Sequence, residues 1–413
     1  MNEANVSIST FGSIVKRARE DLQRQADKVT HLQVNNNDND YVYDKVFEDI
    51  NFSNLESISF DATDHKVEAL LERYIEPKLR RLQFHGGLFS DAVLISLQVY
   101  YPLLEELTVE NGRFIFSQMR FLRFLDSMGS LKILSLMNGT YAVGINHIFV
   151  ALATKPNLEV LEFERTITAR LVSEAFEKQI LNDSGGMLFP KLRKLVCVGE
   201  PSGLRRLSPY LLQLTHLEAN IKCDRAGSAE AQDSVVHSIA ICCPNLYTLK
   251  LRYLGPKVAV IPSQALVNLA QGNSQLKTLR IADAKVEDFY DPHFIGMVRA
   301  LPRVEHLSLR FQCHLTAASL IAAARNCGTT LVEFEIEADI DLRNETQTDV
   351  SFSELTSFTV GKFAHSDPFK TRITEAEVSN KAQFLKALAP KLTHFSSILN
   401  SAVTGRIIDE VLK

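Results

Sequence analysis

The chain has 413 residues, 46% of them hydrophobic and 23% charged, with a formal net charge of −4. That balance suits a folded chain with a large core. It lacks the global excess of positive charge that fits a nucleic-acid backbone. No run of about 18 apolar residues is present to span a bilayer, and the start, MNEANVSISTFGSIVKRARE, has no apolar stretch of a secretory signal. The expectation is a cytoplasmic or nuclear protein, with neither nucleic acid nor membrane as partner. Six cysteines in so long a chain do not make a disulfide framework.

Residues 1–27 read as an N-terminal helical cap. Ser9 or Thr10 can cap a helix whose apolar side holds Ile14, Val15, Ala18 and Leu22, with Lys16, Arg17, Arg19 and Glu20 toward water.

From residue 28 onward one spelling returns: apolar-x-x-apolar-x-apolar. It opens at Val29, Leu55, Leu79, Leu104, Leu131, Leu158 and Leu192. It opens again at Leu214, Leu246, Leu276, Val304, Leu331, Leu355 and Leu392. Fourteen copies at intervals of mostly 22 to 30 residues have the period of a leucine-rich repeat. Each copy predicts a short strand. Amphipathic segments predict helices between them, among them Val67–Ile75, Ala92–Val99, Phe121–Leu125, His147–Leu152, Val235–Ile241 and Leu320–Ala324. Pro77, Pro102, Pro156, Pro190, Pro244, Pro302 and Pro390 end helices just before the next strand, because proline cannot continue a helix.

One strand and one helix cannot bury their apolar faces alone, whereas stacked repeats share a core. The predicted fold is therefore of the α/β class. It is a leucine-rich repeat solenoid, a horseshoe with parallel strands on the concave face and helices on the convex face, over residues 28–413. Three steps are long and carry polar insertions at 182–186, 224–230 and 363–370, and a polar loop is expected at Asn35–Asp40.

Enzyme signatures are missing. There is no G-x-G-x-x-G after a strand, no P-loop, no G-x-S-x-G and no H-E-x-x-H. Gly86-Gly87 and Gly185-Gly186 read as turn glycines. Cys197 occupies a core slot, and Cys242, Cys243 and Cys327 fall at helix ends. With Cys223 and Cys313-Gln-His314 they lack the paired spacing of a zinc site. His31, His216, His306 and His394 share one repeat position and form no catalytic cluster. No catalytic residue, metal or cofactor is expected.

Alternation along a strand lets the concave face be read directly. Early repeats place Arg81, Gln83 and His85 there, then the acidic rungs Glu106 with Glu110 and Glu162 with Glu164. Later repeats turn basic, with Lys250 and Arg252, then Arg280, then His306 and Arg310. An acidic rung of Glu333, Glu335 and Glu337 follows. Grouped arginines can hold an acidic or phosphorylated segment through forked, charge-assisted hydrogen bonds.

The run Cys-Pro-Asn-Leu-Tyr-Thr-Leu-Lys-Leu from Cys243 to Leu251 resembles the repeats of F-box/LRR proteins. So do Lys155-Pro-Asn-Leu-Glu-Val-Leu-Glu-Phe163 and Tyr101-Pro-Leu-Leu-Glu-Glu-Leu107. The resemblance implies a non-enzymatic module that captures a protein partner on its concave face. In that family an N-terminal F-box joins the module to Skp1 in an SCF-type ubiquitin ligase. Residues 1–27 carry no Leu-Pro-x-Glu motif of an F-box. The repeats also resemble other ribonuclease-inhibitor-like arrays, which implies as the alternative a regulatory inhibitor or scaffold with no link to ubiquitin.

Overall fold

The structure is a computed structural model. It describes residues 5–7, 19–34, 50–62, 67–73, 78–141, 146–181, 187–223, 229–255, 259–342, 348–363, 374–399 and 401–413. The insertion at 182–186, most of those at 224–230 and 363–370, the loop Asn35–Asp40, and Gly185-Gly186 lie outside the described residues. The chain forms two compact units. One is Met1–Arg165 with Arg170–Cys197, and the other is Thr166–Ala169 with Val198–Lys413. The repeats expected as one domain over 28–413 thus divide between two units. A repeat touches only its neighbours, so a long stack has no single core to bind its ends together.

The first unit is a parallel ladder laid down in chain order. Its strands include His31–Val34, Ser57–Asp61, Arg81–His85, Glu106–Glu110 and Ile133–Met137, followed by Val160–Ile167. The register sets the second apolar residue of each repeat beside the next, from Leu32 through Ile58, Leu82, Leu107 and Leu134 to Leu161. All six are buried. Burial of each such side chain contributes roughly 1.5–3 kcal/mol. Helices Asp91–Tyr100 and Gln118–Ser127 fall on the segments where the sequence predicts them.

The N-terminal segment is not helical throughout. Asn5–Ser7 is a strand, and Val6 pairs parallel with Leu32, so the ladder begins before residue 28. A helix follows at Arg19–Ala26, with Leu22 and Ala26 buried. The expected cap at Ser9–Thr10 and its first turns lie outside the described residues.

Three consecutive strands of this unit leave by the same turn. Gly86, Asn111 and Asn138 take φ of 78°, 57° and 53°, a left-handed conformation that glycine adopts freely and asparagine tolerates. Leu88–Phe89, Arg113–Phe114 and Thr140–Tyr141 then pair as a second, three-stranded parallel ladder. Under it Phe60, Phe84, Phe89, Phe114, Phe116 and Phe121 form an unbroken series of ring contacts, with centroids 4.7 to 5.6 Å apart.

The second unit repeats the scheme. Its strands are His216–Lys222, Thr248–Leu254, Thr278–Ala282, His306–Thr316, Glu333–Asp341, Ser357–Phe363 and His394–Ser397, parallel and in chain order. The column of second apolar residues runs Leu217, Leu249, Leu279, Leu307, Phe334, Phe358, Phe395. Its last three members stack ring on ring, with centroids 5.2 and 5.3 Å apart. The fold class is α/β, and the fold is a leucine-rich repeat solenoid.

Two kinds of fastener join successive repeats. The asparagine before the first leucine donates to a carbonyl of the repeat before it. Asn54 reaches Asp27 at 2.7 Å, Asn157 reaches Gly129 at 3.1 Å, and Asn245 reaches Leu212 at 3.0 Å. On the helix side, an acidic residue of one helix accepts hydrogen bonds from the N-cap residue of the next. Asp91 takes the backbone N–H of Ser117 at 2.7 Å and its hydroxyl at 3.0 Å. Asp291 takes both groups of Thr316 at 2.8 Å, and Glu68 takes the hydroxyl of Ser90. Ser90, Ser117 and Thr316 cap helices of their own. Each clasp therefore satisfies a helix end and fixes the next repeat's position at once.

Candidate functional site

A strand in a one-sided sheet turns alternate residues to the core and to solvent. In Thr248–Leu254 the core takes Leu249, Leu251 and Tyr253, which leaves Lys250 and Arg252 on the open face. The same alternation opens Arg280, His306 and Arg310, and then Glu333, Glu335 and Glu337. Lateral register makes Lys250 and Arg280 direct neighbours, and Arg280 is followed by Ser308 and Glu335. Arg252 stands beside Ala282, which stands beside Arg310, so these two arginines are two strands apart in the ladder.

The basic side chains do not form an open cationic patch. Lys250 Nζ is 2.9 Å from Glu218, and Arg252 Nε is 2.8 Å from Asp283. Arg280 Nη2 lies 3.4 Å from Glu333 Oε2, and His306 Nδ1 lies 3.0 Å from the same oxygen. Arg310 Nε lies 3.5 Å from Glu335. Every base that the sequence assigns to partner capture thus faces a carboxylate from another strand or turn. Sequence reasoning missed Glu218 and Asp283. The signal for Glu218 was its place at the middle outward position of its own strand. Asp283, at φ 62°, belongs to a tight turn.

Arg280, His306, Ser308, Glu333, Glu335 and Thr359 line a hollow of about 260 Å³ in this face. Its floor includes the buried Leu307 and Phe334. Its charged groups keep much of their contact with water; the Arg280 and Glu333 side chains are 48% and 49% exposed. Glu337 has no ion pair among the described residues. Burial raises its pKa; Arg310 opposes that shift, and Asp283 and Glu335 add to it. Past the acids the face turns to hydroxyls, with Thr359 and Ser396 bonded at 2.9 Å.

The acidic rungs of the first unit are likewise engaged. Glu106 accepts from Gln83 at 3.0 Å, and Glu110 is 3.9 Å from His85. Glu164 accepts the backbone N–H of Asn138 at 2.7 Å. Glu162 folds over Ser135 at 2.5 Å and meets Lys194 at 2.6 Å. Burial works against its charge, but hydrogen bonds from Lys194 and Ser135 outweigh it and lower its pKa. Ser135, which strand alternation turns outward, is therefore only 2% exposed.

The cysteines are core residues in the main. Cys197, Cys243, Cys313 and Cys327 are buried, and burial pushes their thiols up to about 12. Cys242 is half-buried. Among the described residues, no group of three or more His, Cys, Asp or Glu is placed to hold a metal ion, and no helix is long and apolar enough to cross a membrane.

These features define a leucine-rich repeat protein with a charge-paired strand face. No family model matches the chain, and no curated protein does. Solved structures do resemble it. One is a complex of Rad7 and Elc1 in yeast, with a TM-score of 0.45 at 14% identity, covering 78% of this chain and 80% of that one. Another is the leucine-rich repeat-containing protein LegL7 from Legionella pneumophila, with a TM-score of 0.30 at 9% identity, covering 79% and 97%. The fold assignment rests on this chain's own repeats.

Proposed function

We propose that the chain is a non-enzymatic protein-binding module that holds an extended partner segment on the strand face of its second unit. The observation that carries this reading is the hollow between Arg280, His306, Glu333 and Glu335. It presents both signs of charge at close range on side chains that remain about one-third to one-half exposed. An exposed ion pair is worth only about 0–1 kcal/mol, so a partner can replace one at little cost. An incoming carboxylate or phosphate takes Arg280 from Glu333. A lysine or arginine on the same segment then takes the released carboxylate, which leaves no charge unpaired.

The test is affinity purification with mass spectrometry, using the wild-type chain and the variant Arg252→Glu with Arg280→Glu. Loss of a specific partner with an unchanged melting midpoint supports the proposal. A partner set that survives the reversal defeats it.

The finer reading, a substrate receptor of an SCF-type ubiquitin ligase, rests on the repeat spelling alone. Stoichiometric recovery of Skp1 through residues 1–27 supports it. A tightly held partner without Skp1 favours an inhibitor or scaffold.

A further inference from the structure

A second hollow, of about 580 Å³, opens on the first unit at the edge where the strands begin. That volume lies in the range of ligand-binding clefts. Its floor is the buried Leu55, and one wall is Leu103, which is 49% exposed. Around it stand three cations, Lys28, Lys78 and Arg80, against two carboxylates, Asp27 and Glu56.

The two signs are not equivalent here. Asp27 Oδ1 is occupied by Gln23 at 2.9 Å and Ser53 at 3.1 Å. Glu56 faces Arg81, at 3.7 Å. Neither the Lys28 nor the Lys78 ammonium group has a hydrogen bond or ion pair among the described residues. Arg80 shares Glu105 with Lys132, so two cations draw on one carboxylate. The carboxylates are engaged, and the ammonium groups are not.

We propose that this hollow docks an acidic segment of a partner protein that carries an aliphatic or aromatic side chain. The acidic groups meet Lys28, Lys78 and Arg80, and the apolar side chain covers Leu103 and Leu55. An exposed leucine beside unpaired cations fits such a segment on both counts. Among the described residues, no aromatic side chain lines the hollow to give nucleic-acid bases a platform for stacking.

The experiment uses the full chain and an array of nonamer peptides. The peptides vary in net charge, and each carries one leucine, phenylalanine or serine at its centre. Acidic peptides with leucine or phenylalanine should be enriched, with capture falling as salt rises. The variant Lys28→Glu with Lys78→Glu should lose at least tenfold of that capture. Lys28→Gln with Lys78→Gln should lose less, and Arg280→Glu, which alters the other hollow, should lose none. All these changes are at exposed side chains, and an unchanged melting midpoint confirms folding. No preference for acidic peptides, or a preference that survives both lysine variants, would overturn the proposal. Equal capture of the serine series, or competition by a single-stranded RNA oligomer at matched charge, would overturn it in favour of a general polyanion site.

Discussion

Arg280 reaches over the strand His306–Thr316 to place its guanidinium 3.4 Å from Glu333, two strands away in the ladder. Ser308 lies beneath the crossing and donates to Glu335 at 2.6 Å. The crossing ties three repeats together at the surface rather than in the core. Its members are half exposed, so it adds little to stability and can be exchanged for a partner's charges.

The swap Arg280→Glu with Glu333→Arg restores an ion pair with its sense inverted. Stability by thermal unfolding should stay within about 1 kcal/mol of wild type. Partner affinity should fall at least as far as in Arg280→Glu alone, because the partner meets the wrong sign. Recovery of affinity in the swap would show that the pair itself, and not contact with the partner, is what matters.

Asn245 illustrates a different dependence. Its amide donates to the carbonyl of Leu212 at 3.0 Å, and Asn157 does the same to Gly129. Asn245→Ala and Asn157→Ala should each cost about 1 kcal/mol in denaturant unfolding. The sites are far apart along the chain, so the two losses should add. Asn→Asp at either site should cost more than Asn→Ala, because the carboxylate is an acceptor only and sets its negative charge against the carbonyl oxygen.

Gly139 is set by space rather than by conformation. A methyl group there would stand 2.3 Å from Phe114 Cε2, and Phe114 belongs to the buried ring series. Gly139→Ala should therefore cost about 1–3 kcal/mol through overpacking. Gly129, where an added Cβ meets nothing within 4 Å, is the control, and Gly129→Ala should be close to neutral by the same unfolding measurement.

Glu337 should give an inverted pH response. Burial raises its pKa in the folded chain, so the folded state binds this proton more tightly than the unfolded state does. Its contribution to stability is therefore best below the unfolded carboxylate value, about 4.3, and declines as pH rises through the folded value. Glu337→Gln should raise the melting midpoint at neutral pH, with the gain fading toward pH 4. Glu162, held below its ordinary value, should behave oppositely. Glu162→Gln should lower the midpoint at neutral pH, with a penalty that shrinks as acid protonates the native glutamate.

The leucine columns were legible because the rule behind them is short-range. One residue in, one residue out, repeated at a steady period, fixes which of Leu246, Lys250, Leu251 and Arg252 face the core. The ion pairs were not legible, because their partners are remote in the chain. Glu218 lies 32 residues before Lys250, and Asp283 lies 31 after Arg252. Three adjacent basic rungs read as a patch that the Glu333–Glu337 rung neutralises in part; Arg280, His306 and Arg310 do meet that rung, whereas Lys250 and Arg252 meet acids that the sequence did not single out. Ser135 and Ser308 escaped for a related reason. Alternation places them outward, but Glu162 and Glu335 close over them, so they are only 2% and 6% exposed. The asparagine of Pro-Asn-Leu was visible as a letter, while its carbonyl partner belongs to the previous repeat.

The clasps on the helix side give the first unit a natural length for cutting and rejoining. Glu68 holds Ser90 as Asp91 holds Ser117, and each serine begins the same kind of helix. Removing residues 90 to 116 would bring Ser117 to Glu68 in the place of Ser90, directly after Leu88-Phe89, where it normally follows Ile115-Phe116. The excision leaves no clasp half-made and no helix uncapped. A cut one residue out of phase would strand an acid and a cap together. Whole repeats are thus the units in which this unit of the chain can be shortened.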